Sequence, residues 1–187
     1  TGFIVYHDDV GDYSTNEPTM DGTASLVYLL AAQEYEAQPK RVAVSTYSHG
    51  AIIRGDSTQR RLALVFTADE FRDGGAVIAR ILEQHKVPAS FFFTGRFYRN
   101  PANKALIQQL RRQGHYLGPH SDQHLLYNDW VKRDSLLVTQ QQFTADLQQC
   151  YRAMEQQGIS KARASYFLPP YEWYNDTITA WTNRLGL

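Results

Sequence analysis

The chain has 187 residues, with 19 basic and 19 acidic side chains, so its formal net charge is zero. This balance excludes the strong positive field with which proteins bind nucleic acids or anionic membranes, and we expect neither partner. Hydrophobic residues make up 43% of the chain, enough for the core of one domain, and no apolar run approaches the roughly 20 residues that span a bilayer.

The first 60 residues carry fewer clear patterns than the rest. A polar, turn-rich stretch from Gly11 to Gly22 precedes one predicted helix, Thr23 to Glu36. Residues 1 to 49 are therefore interpreted as an N-terminal segment of unclear role. Residue 1 is Thr rather than Met, so we expect that a leader has been removed or that the chain begins inside a longer protein.

From Arg61 onward, short apolar strands alternate with amphipathic helices. The predicted strands are Leu62 to Thr67, Ala89 to Thr94, His115 to Gly118 and Ala164 to Leu168. The predicted helices run from Gly74-Gly75 to Lys86, from near Pro101 to Gly114, from Gln140 to Gln157, and onward from about Asn175. This alternation predicts an α/β fold with a parallel sheet or barrel.

Polar or unusual residues follow three of the four predicted strands. Asp69 and Glu70 follow the first, His120 and His124 the third, and Pro169-Pro170-Tyr171 the fourth. Because the carboxyl ends of parallel strands meet at one edge of the sheet, we expect these residues to lie close together and to form the functional site.

Two histidines four residues apart present both imidazoles on one face if their turn is helical, which suits a divalent metal. A neighbouring carboxylate would supply a third ligand, and a second carboxylate would act as the base. In isolation, however, such a histidine pair is usually not a ligand pair, and Asp-Glu after a strand is more often a solvated turn or a helix start. The single Cys150 excludes a cysteine-built site and is predicted to be a buried hydrophobe.

The ordered set of segments resembles the polysaccharide deacetylases of carbohydrate esterase family 4, the NodB-homology domain. Thr67 to Phe71 is similar to the family's first motif, Thr-Phe-Asp-Asp-Gly, and His120 to His124 matches its second motif in full. Leu168 to Tyr171 approximates the third, Arg-x-Pro-Tyr, and the Phe-rich strand Ala89 to Gly95 lies between as in the family. The resemblance covers about residues 50 to 187.

The resemblance implies a distorted (β/α) barrel of the deacetylase type over residues 50–187, incomplete in this chain. It implies a divalent metal, zinc above all, with Glu70, His120 and His124 as ligands. It implies that Asp69 is the general base and that the Tyr171 N–H stabilises the developing oxyanion. The substrate-binding residues that it implies are Pro170, Tyr171 and Trp173.

The reaction implied by the resemblance is hydrolysis of N- or O-acetyl groups on a polysaccharide or oligosaccharide. The partner would be an acetylated glycan, and the location secreted, periplasmic or in the cell envelope. Aromatic residues near the motifs suit stacking on sugar rings or, equally, a place in the core; they are Tyr127, Trp130, Trp173 and Tyr174.

The sequence departs from the family pattern in three ways. Glu70 replaces an aspartate, and Leu168 replaces the arginine that in the family tethers the base carboxylate. The fourth and fifth motifs, which carry the general-acid histidine, do not follow Tyr171, so we expect either that the chain is a piece of a longer protein or that its missing strands come from elsewhere. Phe3 to Asp8 looks like the fifth motif, with His7 as the acid, or is an ordinary surface turn.

These departures leave other functions open. The first alternative is a catalytically impaired relative that keeps the deacetylase fold and acts in carbohydrate binding. The second is an amidase that acts on a substrate other than a sugar.

Overall fold

The computed structural model of the chain describes residues 45–56 and 61–187. The predicted helix Thr23 to Glu36 and the run Phe3 to Asp8, with His7, lie outside the described residues. The strands are β1 (Thr46–Ser48), β2 (Ala51–Arg54), β3 (Val65–Ala68), β4 (Ser90–Phe93) and β5 (Tyr116–Pro119). The helices are α1 (Gly75–His85), α2 (Gly95–Arg99), α3 (Lys104–Arg112), α4 (Gln140–Gln156) and α5 (Asp176–Arg184), with single 3₁₀ turns at Pro101–Asn103, Lys161–Arg163 and Pro170–Glu172.

The central sheet consists of three parallel strands in the order β3-β4-β5. Val65 pairs with Ser90, and Ser90 with Tyr116, so the three carboxyl ends are level with one another. This arrangement confirms the parallel α/β pattern and places the residues after β3, β4 and β5 at one edge. The described residues contain no closed sheet, and the barrel stays a prediction, as does the domain division at residue 50.

Both faces of the sheet bury side chains. Phe91, Phe93 and Leu117 face the main core with the helices, whereas Phe92 faces a smaller cluster with Val65 and Leu168. This burial on both faces explains why β4 is apolar at successive positions rather than alternating. Cys150 lies in the main core, fully buried and unpaired, as predicted.

The predicted strand Ala164 to Leu168 is wrong. The segment runs beside β5, but the Tyr116 hydroxyl bonds both the N–H of Tyr166 (2.9 Å) and its carbonyl (3.2 Å). The N–H of Leu168 donates to the carbonyl of Pro119 at 3.3 Å. A side chain thus replaces most of the backbone ladder that a strand requires.

The short helix α2, which begins at Gly95 directly after β4, was not predicted. The side chain of Thr94 accepts a hydrogen bond from the N–H of Phe97 and caps the helix. A Cβ at residue 95 would overlap the carboxylate of Asp122. Glycine is therefore required by the close approach of α2 to the loop after β5.

The hairpin of β1 and β2 was not predicted. Its two-residue turn, His49-Gly50, has positive φ at both positions, the geometry that connects tightly twisted antiparallel strands. His49 Nδ1 lies 2.9 Å from the carboxylate of Asp176 at the start of α5. No helix in the part of the chain that the structure describes has the length and apolar character needed to cross a membrane.

Candidate active site

His120 follows β5 directly and is buried, with 2% of its surface exposed. Its Nδ1 lies 2.8 Å from the carbonyl of Leu168, and since a carbonyl only accepts, Nδ1 carries the proton and Nε2 a lone pair. Burial, together with the neighbouring His124, lowers the pKa of His120 to about 3, although the Leu168 carbonyl and the Asp69 carboxylate oppose the shift. The ring is therefore neutral at physiological pH.

His124 lies beside His120, with ring centroids 5.0 Å apart. The turn between them is not the helical one on which the sequence prediction rested, because Ser121 and His124 have φ values of 67° and 56°. Burial lowers the pKa of His124, against the Asp69 carboxylate, which raises it. The structure thus brings together two neutral imidazoles within the electrostatic influence of Asp69.

The loop that carries both histidines is held by a carboxylate from α4. Asp146 is buried and accepts three hydrogen bonds, from the Ser121 hydroxyl (2.7 Å) and from the N–H groups of Asp122 (2.8 Å) and Gln123 (3.0 Å). Burial raises the pKa of Asp146, whereas these three bonds oppose the rise. This residue was not predicted from the sequence, since nothing in the amphipathic pattern of α4 distinguishes a buried aspartate that bonds a distant loop.

The second carboxylate of the loop is also paired. Asp122 is buried and accepts two hydrogen bonds from the guanidinium of Arg99, one of them, from Nη2, at 2.9 Å. Burial of an unpaired carboxylate would be costly, so this bidentate pair is what allows Asp122 to lie in the interior. Arg99 belongs to α2, and the pair fixes that short helix against the histidine loop.

Asp69 and Glu70 follow β3, at the same edge of the sheet. The Asp69 carboxylate accepts two hydrogen bonds from Arg96, from Nε at 3.1 Å and from Nη2. Nη1 of the same arginine lies 3.3 Å from the Glu70 carboxylate, and 60% of the Glu70 side chain is exposed. Arg96 was not predicted from the sequence, although it follows β4 and Asp69 follows the neighbouring strand β3.

Tyr171 lies on the other side of His124, with ring centroids 4.5 Å apart and a near-perpendicular packing. It has φ 60°, and 45% of its surface is exposed. The Tyr171 ring also packs against Trp130, with ring centroids 5.4 Å apart, and Trp130 stacks on Trp173 with centroids 5.7 Å apart. Trp130 is 48% exposed, whereas Pro170 is buried and Trp173 half-buried. Tyr127 is fully buried. Of the two roles that the sequence left open for these aromatic residues, sugar stacking or a place in the core, Tyr127 therefore has the second.

The imidazole half of the predicted metal site fits a divalent ion. Both rings are neutral, and the carbonyl of Leu168 fixes the tautomer of His120 as protein groups do around bound metals. The acidic half is not assembled, because the Glu70 carboxylate is paired with Arg96. Among residues 45–56 and 61–187, no three His, Cys, Asp or Glu side chains are arranged to hold an ion.

A cavity of about 810 Å³ lies at the opposite ends of the strands. Its lining includes Ala63, Ala89 and Tyr116, which precede or begin β3, β4 and β5. It contains neither Asp69 nor the two histidines. The candidate site at the carboxyl edge of the sheet is therefore separate from this cavity.

The family model described as "Polysaccharide deacetylase" matches residues 54–187. The chain belongs to the polysaccharide deacetylase family. A family 4 carbohydrate esterase from Bacillus anthracis has a TM-score of 0.56 at 23% identity, covering 66% of this chain and 55% of that one. The Xyl-CE4 domain of a multidomain xylanase from the hindgut metagenome of Trinervitermes trinervoides has a TM-score of 0.51 at 26% identity, covering 62% of this chain and 51% of that one.

A CE4 family pseudoenzyme from Bacillus anthracis is also similar, with a TM-score of 0.53 at 20% identity, covering 66% of this chain and 41% of that one. An uncharacterised 30.6 kDa protein of Geobacillus stearothermophilus is 29% identical over 76 residues, which is 41% of this chain and 28% of that protein. These likenesses establish the deacetylase fold. The chain spans only about half, or less, of the length of each relative.

Proposed function

We propose that this member of the polysaccharide deacetylase family removes N- or O-acetyl groups from a polysaccharide or oligosaccharide. The observation that carries the proposal is the grouping of Asp69 with two neutral imidazoles, His120 and His124, at the carboxyl edge of the sheet. That edge is where α/β folds hold their reacting groups. A polysaccharide substrate further suggests a secreted, periplasmic or cell-envelope location.

In this proposal Asp69 is the general base. Its carboxylate has about four lone-pair positions, of which Arg96 takes two, so the others remain able to accept a proton from water. The water oxygen then forms a bond to the acetyl carbonyl carbon while its proton passes to Asp69. The bond to the sugar nitrogen or oxygen breaks, acetate is released, and the same proton passes from Asp69 to the leaving amine or hydroxyl.

We assign His120, His124 and Glu70 as the residues that would hold a divalent metal, with zinc the expected ion. Such an ion supplies Lewis acidity that polarises the acetyl carbonyl. The neutral imidazoles support this assignment, because only the neutral ring has a lone pair to give. The carboxylate of Glu70 is one methylene longer than the family's aspartate, and its pairing with Arg96 weakens the case for this ligand.

The substrate would lie over the aromatic surface next to His124. Tyr171, Trp130 and Trp173 form a continuous set of ring contacts that leads away from the imidazoles. Exposed aromatic faces stack on the apolar faces of sugar rings. The Tyr171 N–H, in a left-handed turn adjacent to His124, is the proposed donor to the oxyanion.

The second candidate is a catalytically impaired deacetylase domain that binds carbohydrate. The unassembled acidic ligand favours it, since Glu70 is paired with Arg96 and no three-residue metal group is present in the described ranges. The pseudoenzyme among the similar structures is consistent with it.

Acetate release separates the two candidates. The whole chain, loaded with zinc, is incubated with acetylated chitooligosaccharide and with acetylated xylan, and acetate is measured. We expect release that a chelator abolishes and that Asp69→Asn lowers by about 10³-fold, because the amide cannot take up the proton. Stoichiometric zinc binding without acetate release from either glycan would support the binding function instead.

A further inference from the structure

We propose that Arg96 is the positioning residue for Asp69, and that it replaces from a different element the arginine that this chain lacks at residue 168. The inference deepens the proposed function and rests on it. The geometry that supports it is the two-point contact from Nε and Nη2 to the two oxygens of Asp69. Two parallel bonds fix the plane of a carboxylate as well as its position.

Residue 168 is not able to make this contact. Leu168 is 4% exposed and packs with Val65 and Phe92 in the smaller apolar cluster. Its backbone carbonyl holds His120, but its side chain carries no donor. A carboxylate that is to accept a proton in a defined direction therefore needs another group to orient it.

Arg96 is placed for that task by the order of the strands. It follows β4, Asp69 follows β3, and the two strands are parallel neighbours, so both residues lie at the same edge. The hydroxyl of Thr94 donates to the carbonyl of Asp69 at 3.3 Å. The start of α2 thus holds Asp69 through its backbone and its carboxylate together.

The start of α2 also holds the histidine loop. The N–H of Gly95 donates to the carbonyl of Ser121 (3.0 Å), and the N–H of Arg96 donates to the carbonyl of Asp122 (3.2 Å). Arg96 therefore connects Asp69 to the loop that carries His120 and His124. Through this connection the arginine sets the direction of the base relative to both imidazoles.

The cation of Arg96 also lies against Glu70, at 3.3 Å from its carboxylate. A positive charge there opposes the approach of a divalent ion to the same carboxylates. Removal of Arg96 should therefore have opposite effects on two properties. Catalysis should weaken because Asp69 loses its orientation, whereas zinc binding should tighten because a competing cation is gone.

The test compares Arg96→Ala and Arg96→Lys with the wild-type chain. For Arg96→Ala we expect kcat to fall about 10- to 100-fold with little change in KM, and the zinc Kd, measured by calorimetry without substrate, to fall several-fold. Arg96→Lys keeps the charge but not the planar fork. It should therefore keep the wild-type zinc Kd while recovering only part of kcat, and millimolar guanidinium should restore activity to Arg96→Ala.

Arg152→Ala is the matched control, because Arg152 is exposed on α4 and, among the described residues, its side chain bonds only that of Gln149. It should leave both kcat and the zinc Kd unchanged. An unchanged kcat in Arg96→Ala would overturn the proposal, as would a loss of zinc binding together with activity, which indicates a merely structural role.

Failure of the proposed function is distinguishable from failure of this inference. A wild-type chain that releases no acetate overturns the deacetylase proposal. The zinc Kd then tests only whether Arg96 lies against the carboxylates of Asp69 and Glu70. A lower Kd in Arg96→Ala supports the position of Arg96 against the carboxylates. An unchanged Kd refutes it.

Discussion

The buried carboxylate of Asp146 should be a main source of stability for the histidine loop. We consider Asp146→Asn, which keeps the size of the side chain. The aspartate accepts two bonds at Oδ2, from Ser121 and Asp122, and one at Oδ1, from Gln123. If the amide oxygen keeps the first two partners, the amide NH₂ faces the N–H of Gln123, donor against donor.

The expected cost follows from that count. One hydrogen bond to a charged group is lost, worth about 1.5 to 3 kcal/mol, and two amide donors are left facing each other. The free energy of unfolding should therefore fall by about 2 kcal/mol, which for a domain of this size lowers the Tm by about 6 °C. Urea and thermal unfolding followed by circular dichroism at neutral pH measure both quantities.

Glu155→Gln is the matched control, because it makes the same chemical change at an exposed position of the same helix. We expect it to alter the free energy of unfolding by less than about 0.5 kcal/mol. A change of that small size in Asp146→Asn as well would refute the reasoning, since the three contacts would then contribute nothing that an amide or water does not replace.

Two further predictions concern other residues of the site. Burial holds the pKa of His120 at about 3, so between the ordinary value near 6.5 and about 3 the unfolded chain binds a proton that the folded chain does not. Because of this group, the free energy of unfolding of the wild type should fall by up to about 1.4 kcal/mol for each unit of decreasing pH. In urea unfolding, His120→Asn should make this dependence on pH shallower. An equal dependence on pH in the variant and the wild type would contradict the prediction. Trp130→Ala should raise KM for an acetylated oligosaccharide about 3- to 10-fold at constant kcat, whereas an unchanged KM would exclude stacking there.

The sequence predicted the parallel strands well because their patterns have one physical cause. Each strand is buried on both faces, so β3, β4 and β5 are nearly continuous apolar runs with ends within a few residues of those predicted. The helix α4 was equally clear from its apolar spacing, and in the structure a Thr139–Gln142 capping box starts it. The strand at Ala164 to Leu168 failed because a pattern of apolar residues does not reveal that the Tyr116 hydroxyl replaces its backbone partners.

The site was predictable only as far as the strand-end rule reaches. Asp69, His120 and His124 lie at one edge as expected, because the rule depends on topology alone. The pairing of Glu70 with Arg96 depends on where a long side chain points, which the sequence does not specify. The loop with left-handed backbone at Ser121 and His124 is held by hydrogen bonds to Asp146, which lies more than 20 positions away along the chain. The family was recognisable from its motifs, and their detailed geometry was not.

The phenol of Tyr116 has a consequence for how the sheet ends. The hydroxyl accepts a hydrogen bond from the N–H of Tyr166 and donates one to its carbonyl, so it supplies the acceptor and the donor that a neighbouring strand would otherwise supply. The outer border of β5 is thereby occupied by a segment that is itself irregular, and a border of this kind is a poor template on which a foreign strand could add. The Tyr116 hydroxyl and the Leu168 N–H thus help to close this border against the addition of another strand.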